Sequence, residues 1–401
     1  MADGRPGEGG DSGGGVSAVG GGDRVRIEDR AAYVALASVP GIGPKRLSAL
    51  LKTFGSANGA LSAPFAFLCR VPGISKAGAT AIRGAKLEVG VKVLERVAEL
   101  GGRCLLPDDP EFPAVLREIP DAPMYLFACG RLELLALPAV AIVGSRDHSQ
   151  YGADMCRMVA ERAARAGLAV VSGMARGLDA VAHHAALDVN GATIGVLGNG
   201  FGVIYPAANR ALYERVFADG LMLTEFAPGE RPHHGSFPRR NRLISGLARV
   251  TLVVEAVKGS GTMLTVESAL GQGRDVMAVP GPITSATSEG TNRLIRDGAE
   301  PLLETIDLLR HYGLAESGGD TQPTMPPIPD SHAKSLAIVV PDFLSPDEVT
   351  AFQLLSRDAL LADDLALAMT KPVSAVLNLL CGLELAGLVE GLPGGRYRRK
   401  N

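Results

Sequence analysis

Three arginines fall within four positions in "FPRRNR": Arg239, Arg240 and Arg242, with Asn241 among them. Guanidinium groups bind phosphate oxygens in pairs, and a cationic run without a nearby carboxylate repels itself unless an anion joins it. Two readings of the run are open, a phosphate-binding loop or a solvated turn paired to acids such as Glu225 or Glu255. Its neighbours favour the first. Gly144-Ser145-Arg146, "SGMARGLD" with Gly173, Arg176 and Gly177, "GNGFGVIYP", and "KGSGTMLT" with Lys258 and Gly261 each combine small residues with the expected start of a helix, and three of these four add a cation. Glycine-rich turns and helix N-termini expose unpaired N–H donors, so the five stretches together describe a pocket for several phosphates. A dinucleotide fingerprint would read G-x-G-x-x-G, whereas the first stretch offers one glycine and an arginine.

Other chemistries lack their residues. His183-His184 and His233-His234 are adjacent pairs, which cannot both reach one ion from a regular helix, and no third ligand stands at zinc-like spacing. There is no G-x-S-x-G elbow, P-loop lysine or paired-carboxylate arrangement. These absences predict binding without catalysis, metal or cofactor. The alternative is a nucleotide-processing enzyme in which "SGMARG" and "KGSGTM" grip a mononucleotide and Glu255 or Glu267 stands at the sugar.

The elements that must position these stretches are strands. "AVAIVG", "LAVVSG", "TIGVLG", "LMLTE", "VTLVVEA" and "DVMAVPG" lie between Ala139 and Pro280, most of them apolar on both faces, as in a parallel sheet covered on both sides. Segments of helical period, such as 153–166 and 178–188, separate them. The pattern predicts a Rossmann-like, doubly wound, mostly parallel α/β domain over 104–312, with its ligand site at the carboxyl ends of the strands.

Flanking modules differ in composition. Residues 1–24 are mostly small and polar and read as a disordered tail. Residues 25–103 have a helical pattern in which "VPGI" occurs twice, 32 positions apart. The repeat resembles a helix-hairpin-helix (SAM-like) module, whose glycine turns either hold a DNA phosphate or serve packing alone. Residues 313–344 read as a Pro/Gly/Ser-rich linker. Residues 345–401 outline a winged helix, three short helices and a basic hairpin, whose third helix is acidic and apolar where a DNA reader would be basic. That favours a protein-facing or regulatory role.

With 401 residues and a net charge of −3, the chain has no bulk attraction to polyanions, so any basic function must be local. Aromatics are 4% and Trp is absent, which argues against binding that rests mainly on stacking. Five scattered cysteines without a C-x-x-C pair read as reduced, mostly buried thiols. No signal segment or membrane-length apolar run is present, and a cytoplasmic protein is expected.

These motifs together resemble the DNA-processing protein A family (DprA, also called Smf). The resemblance covers about residues 105–309 and rests on "VGSRDHSQYG", "SGMARGLDAVAHHAAL", "GNGFGVIYP", "FPRRNRLISGL", "VVEAVKGSGTMLTVESALGQGRDVMAVPG" and "EGTNRLIRDGA", in that order. It implies a cytoplasmic homodimer, not an enzyme and without a nucleotide cofactor. Such a protein binds single-stranded DNA non-specifically and helps load the RecA recombinase during natural transformation. It implies DNA contacts from Gly144, Ser145, Arg146, Gly173, Arg176, Arg239, Asn241, Arg242, Lys258 and Gly261. One departure is that Ala207 and Ala208 follow Pro206 where many relatives have a cation, leaving Arg210 as the nearest.

Overall fold

A computed structural model describes residues 21–314, 344–355, 360–369, 371–392 and 396–399. The stretch 1–20 of the expected tail and 315–343 of the expected linker lie outside the described residues. The chain divides into two units, Met1–Pro323 and Thr324–Asn401.

The first unit opens with six helices, α1 (Gly21–Ala37), α2 (Pro44–Phe54), α3 (Ala57–Ser62), α4 (Phe65–Leu68), α5 (Lys76–Gly84) and α6 (Leu87–Glu99). Helix α1 thus begins four residues inside the stretch read as a tail. Gly41 and Gly73, in the two Val-Pro-Gly-Ile turns, have φ of 83° and 82°, a left-handed backbone that glycine adopts without strain. Helices α1 and α6 touch at Gly90, where any Cβ would collide with the Ala31 carbonyl.

There follow β1 (Gly102–Leu105), α7 (Ala114–Arg117), β2 (Leu126–Gly130), β3 (Ala139–Val143), α8 (Gln150–Arg165), β4 (Ala169–Ser172), α9 (Leu178–Asp188), β5 (Thr193–Val196), α10 (Arg210–Asp219), β6 (Leu221–Thr224), α11 (Ser236–Leu247), β7 (Val250–Val253), α12 (Thr262–Gly271), β8 (Asp275–Ala278), α13 (Glu289–Arg296), β9 (Glu300–Pro301) and α14 (Thr305–Arg310). One sheet runs β1-β2-β6-β5-β4-β3-β7-β8-β9. The seven strands from β6 to β9 are parallel, while β2 pairs antiparallel with β6 and β1 antiparallel with β2. All six strands read from the sequence are present, and β3 to β7 are buried along their whole length. Because β4, β5 and β6 build out on one side of β3 and β7 to β9 on the other, winding reverses at β3.

The helical module is not a detached bead. Leu36, Leu47, Leu68 and Ile82 share one apolar core with Phe127, Phe201 and Tyr213 of the α/β part. Arg30 of α1 grips Asp109 with both terminal nitrogens at 2.7 Å and donates to the Cys104 carbonyl.

The second unit has α15 (Pro346–Leu354), β10 (Leu360–Leu361), α16 (Ala362–Met369), α17 (Val373–Leu385), β11 (Val389–Leu392) and β12 (Arg396–Arg399), the strands ordered β10-β12-β11. It is a winged helix around Ala351, Leu365, Val376, Leu380, Leu383 and Val389.

Candidate nucleic-acid interface

A cleft opens at the carboxyl ends of β3, β4, β5 and β6, lined by Arg146, Gly173, Arg176, Asn199, Tyr205 and Phe237 together with Arg240 at its floor. Arg146 and Arg176 are exposed. The Arg146 guanidinium lies 5.5 Å from the Phe237 ring centre, and Tyr205 stands 5.8 Å from the same ring. A planar group could enter between cations and rings. Arg176 is 3.2 Å from Asp147, an exposed pair that an incoming anion can exchange cheaply.

The glycines work mainly behind this surface. A Cβ on Gly144 would strike Leu178, and one on Gly177 would strike the Ser145 carbonyl, so the first two loops interlock. Ser145 closes a local turn with Asp147, and its carbonyl accepts from the Leu178 N–H at the start of α9. Gly173 lines the cleft, but its N–H donates to Asp179 and its carbonyl accepts from Arg240, so neither is spare for a ligand.

The expectation that "FPRRNR" is a loop is corrected: it lies in α11, where consecutive residues point about 100° apart. Arg239 faces solvent over the Phe226 ring, 3.5 Å from Glu225. Arg240 points inward and is buried, donating to the carbonyls of Gly173 and Val196 and to Asn241 Oδ1. Its charge faces buried Asp179, whose carboxyl is pushed up by burial and drawn back by Arg240 and the N–H groups of Ala175 and Gly173. Arg242 is 11% exposed and bonds Glu225 at 2.5 Å and Asp121 at 3.2 Å, the acid pairing that was the other reading of the run. Asn241 is also buried. Lys258 and Gly261 are exposed on the loop after β7, outside the cleft lining, as is Arg210.

Beside the buried Tyr213, the cleft has two accessible rings, Tyr205 and Phe237, which were missed at the level of sequence. Both stand in quoted motifs, but a 4% aromatic content does not reveal that two rings meet at one opening. Glu255, a candidate acid, is buried and engaged by the Ser149 N–H and hydroxyl and by Thr287, so it fixes the start of α8. Glu267 is exposed on α12 and does not line the cleft. His183 is buried against Thr193, and His184 meets Arg215. Among the described residues no three His, Cys, Asp or Glu side chains gather as a metal site, and no helix is long and apolar enough to cross a membrane.

Residues 103–313 match the family model for DNA recombination-mediator protein A, more than half of the chain. The chain belongs to that family. In this recombination-mediator family member, residues 329–395 also match the DprA winged-helix domain and 33–83 the SAM-like helix-hairpin-helix tandem. It is 33% identical over 396 residues to Protein Smf of Synechocystis, an alignment that covers 93% of this chain and 99% of that one. With the DNA processing protein DprA of Streptococcus pneumoniae it shares 44% over 204 residues, 51% of this chain and 72% of the relative. The X-ray structure of DNA processing protein A from S. pneumoniae superposes with a TM-score of 0.62 at 34% identity, over 70% of this chain and 97% of that one.

Proposed function

We propose that this recombination mediator binds single-stranded DNA without sequence preference, protects it, and helps load the RecA recombinase during transformation. The observation that carries the DNA reading is the cleft itself, with exposed Arg146 over the Phe237 ring, Tyr205 beside that ring and exposed Arg176 in the same lining, at the carboxyl ends of four parallel strands. Cations take phosphates and the rings take a base face, which only an unpaired strand presents. Arg239 and Lys258 extend the proposed contact surface, and Gly144, Ser145, Gly173 and Gly261 shape its loops. Arg242 ties α11 to Asp121 and Glu225, and the Asn241 side chain accepts from Arg240 within the helix. Neither candidate acid of the nucleotide-processing alternative, Glu255 or Glu267, lines the cleft. The RecA step rests on family membership. On the winged helix, Val373, Leu377 and Leu385 of α17 are exposed while Arg398 pairs with Glu390, which supports a protein-facing role.

The test is a salt series with an oligothymidine ligand. Replacing Arg146 and Arg176 together by Ala should cost on the order of 1.5–3 kcal/mol per lost contact and flatten log K against log salt by about 0.7 per phosphate. Normal affinity and slope in a folded double variant would place the strand elsewhere.

Family membership also supports a homodimer through α12. Leu264 is exposed there, and Leu270 is 62% exposed. Leu270→Glu should give a folded monomer that binds short oligonucleotides normally but long ones weakly, since avidity is lost. Sedimentation of the wild type as a strict monomer at micromolar concentration would contradict this.

A further inference from the structure

The segment that joins β1 to β2 contains "PDDPEFPAVLREIPDAP", residues 107–123, with five prolines, five carboxylates and a single cation, Arg117. It folds around a cavity of about 450 Å³, lined by Pro107, Asp108 and Phe112 from its first arm and by Arg117, Ala122 and Pro123 from its second. The walls are fixed. Proline sets φ at five positions. Arg30 holds Asp109 of the first arm, and Arg242 anchors Asp121 of the second. Arg117 ties the two arms together, donating to the Pro107 carbonyl at 2.7 Å and to the Asp109 carbonyl at 2.9 Å. Phe112, Leu116 and Ile119 fasten the middle of the segment into a buried core of the sheet.

These contacts leave the cavity poor in donors and rich in acceptors. Its two prolines carry no N–H. Its one cation is already engaged with two carbonyls and lies 5.6 Å from the Phe112 ring centre. Asp109, Glu111 and Asp121 pair with Arg30, Arg103 and Arg242. Among the described residues no cation pairs with Asp108, which is exposed in the lining, nor with exposed Glu118 on the same segment. Five acids against one arginine give the segment a strong negative excess of its own.

We propose that this cavity docks a cationic segment of a partner protein, an arginine or lysine entering with its head at Asp108 and its aliphatic stem along Pro107 and Pro123. A guanidinium brings five donors to a surface rich in acceptors, and long stems lie readily on apolar walls. The negative excess steers such a segment in and repels nucleic acid, so the site differs in chemistry from the cleft and does not rest on the DNA reading. It is near the cleft all the same. Because β1 is antiparallel to β2 and β2 to β6, β1 ends at the same edge of the sheet as β6, two strand spacings or about 10 Å away. A protein held there stands beside whatever the cleft binds.

The experiment uses the full chain and two labelled hexapeptides, alternating Arg-Leu and alternating Glu-Leu, with fluorescence anisotropy as the readout and oligothymidine as a control. The Arg-Leu peptide should bind and the Glu-Leu peptide should not. Asp108→Asn, at an exposed position, should weaken the Arg-Leu peptide roughly tenfold, the loss of one charge-assisted contact. Ala122→Phe, which fills the cavity from a half-buried position, should abolish that binding. Glu118→Gln changes only the surrounding charge, so its effect should be smaller and vanish at high salt. All three variants should keep the wild-type melting temperature and oligothymidine affinity. Equal binding of the two peptides would overturn the proposal by making the cavity merely apolar. So would no binding of the Arg-Leu peptide, or one affinity for it in wild type and Asp108→Asn, since the peptide would then sit elsewhere.

Discussion

Arg240→Ala is expected to remove about 3–5 kcal/mol of folding stability, while Arg239→Ala, one residue earlier, stays within about 1 kcal/mol of the wild type. The contrast follows from the helix. Arg240 is buried and holds the carbonyls of Gly173 and Val196, and its charge is the nearest compensation for buried Asp179. Removing it leaves two carbonyl acceptors at the cleft floor and one buried carboxylate without their cationic partner. Arg239 is 48% exposed, and Glu225 keeps Arg242 when Arg239 is gone. Urea unfolding followed by circular dichroism measures both. If the cost arises from the stranded acid, adding Asp179→Asn to Arg240→Met should recover part of the loss. Equal midpoints for the two single Ala variants would mean that Arg240 is not buried as described.

The second large effect concerns acid. The Thr193 hydroxyl donates to the Val170 carbonyl, so the His183 Nδ1–H must be the donor to Thr193, and Nε2 is left as a buried acceptor without a partner. Protonating Nε2 would put a charge in the core beside His184 and Arg240, and burial above all holds the imidazole down to about 3. In the unfolded chain it titrates near 6.5. Below that pH the unfolded chain takes up a proton that the folded chain refuses. The contribution is whole above about 6.5 and is lost as the pH falls toward 3, by roughly 1.4 kcal/mol per unit and on the order of 5 kcal/mol in all. His184, depressed by burial and by Arg215, acts in the same direction. Unfolding free energies of wild type and His183→Gln, measured between neutral pH and pH 4, should converge as the pH falls. Parallel curves would rule out His183 as the cause.

Much of the α/β core could be read from the sequence because β3 to β7 are apolar on both faces, a pattern that fully covered parallel strands impose. The flanks were less legible. β1 has only four positions, the first two open to solvent and the last two buried, β2 is an antiparallel addition outside the strand–helix alternation, and β9 has two residues, one of them Pro301. Arg146 and Arg176 line the cleft because a cation that follows a strand and precedes a helix stands at the strands' carboxyl ends, a position legible in the sequence. "FPRRNR" misled because clustered charge reads as loop, whereas helical geometry divides neighbours between solvent and core. Gly173 was placed correctly in the crevice, but the need for its missing side chain comes from Arg240, 67 positions away, and no local pattern carries that.

The boundary between helices and sheet has a consequence for aggregation. A cut between residues 103 and 104, where helical composition gives way to strand, falls inside β1. Since β1 is the outermost strand and pairs only with β2, its loss bares a row of backbone donors and acceptors on a strand whose residues Leu126 to Cys129 are otherwise buried. Such a rim is a template for a strand from another molecule. Shedding the helical module would also uncover Phe127, Phe201 and Tyr213 on the same side. Helices α1 to α6 together with β1 therefore shield the sheet against self-association, whatever else they bind.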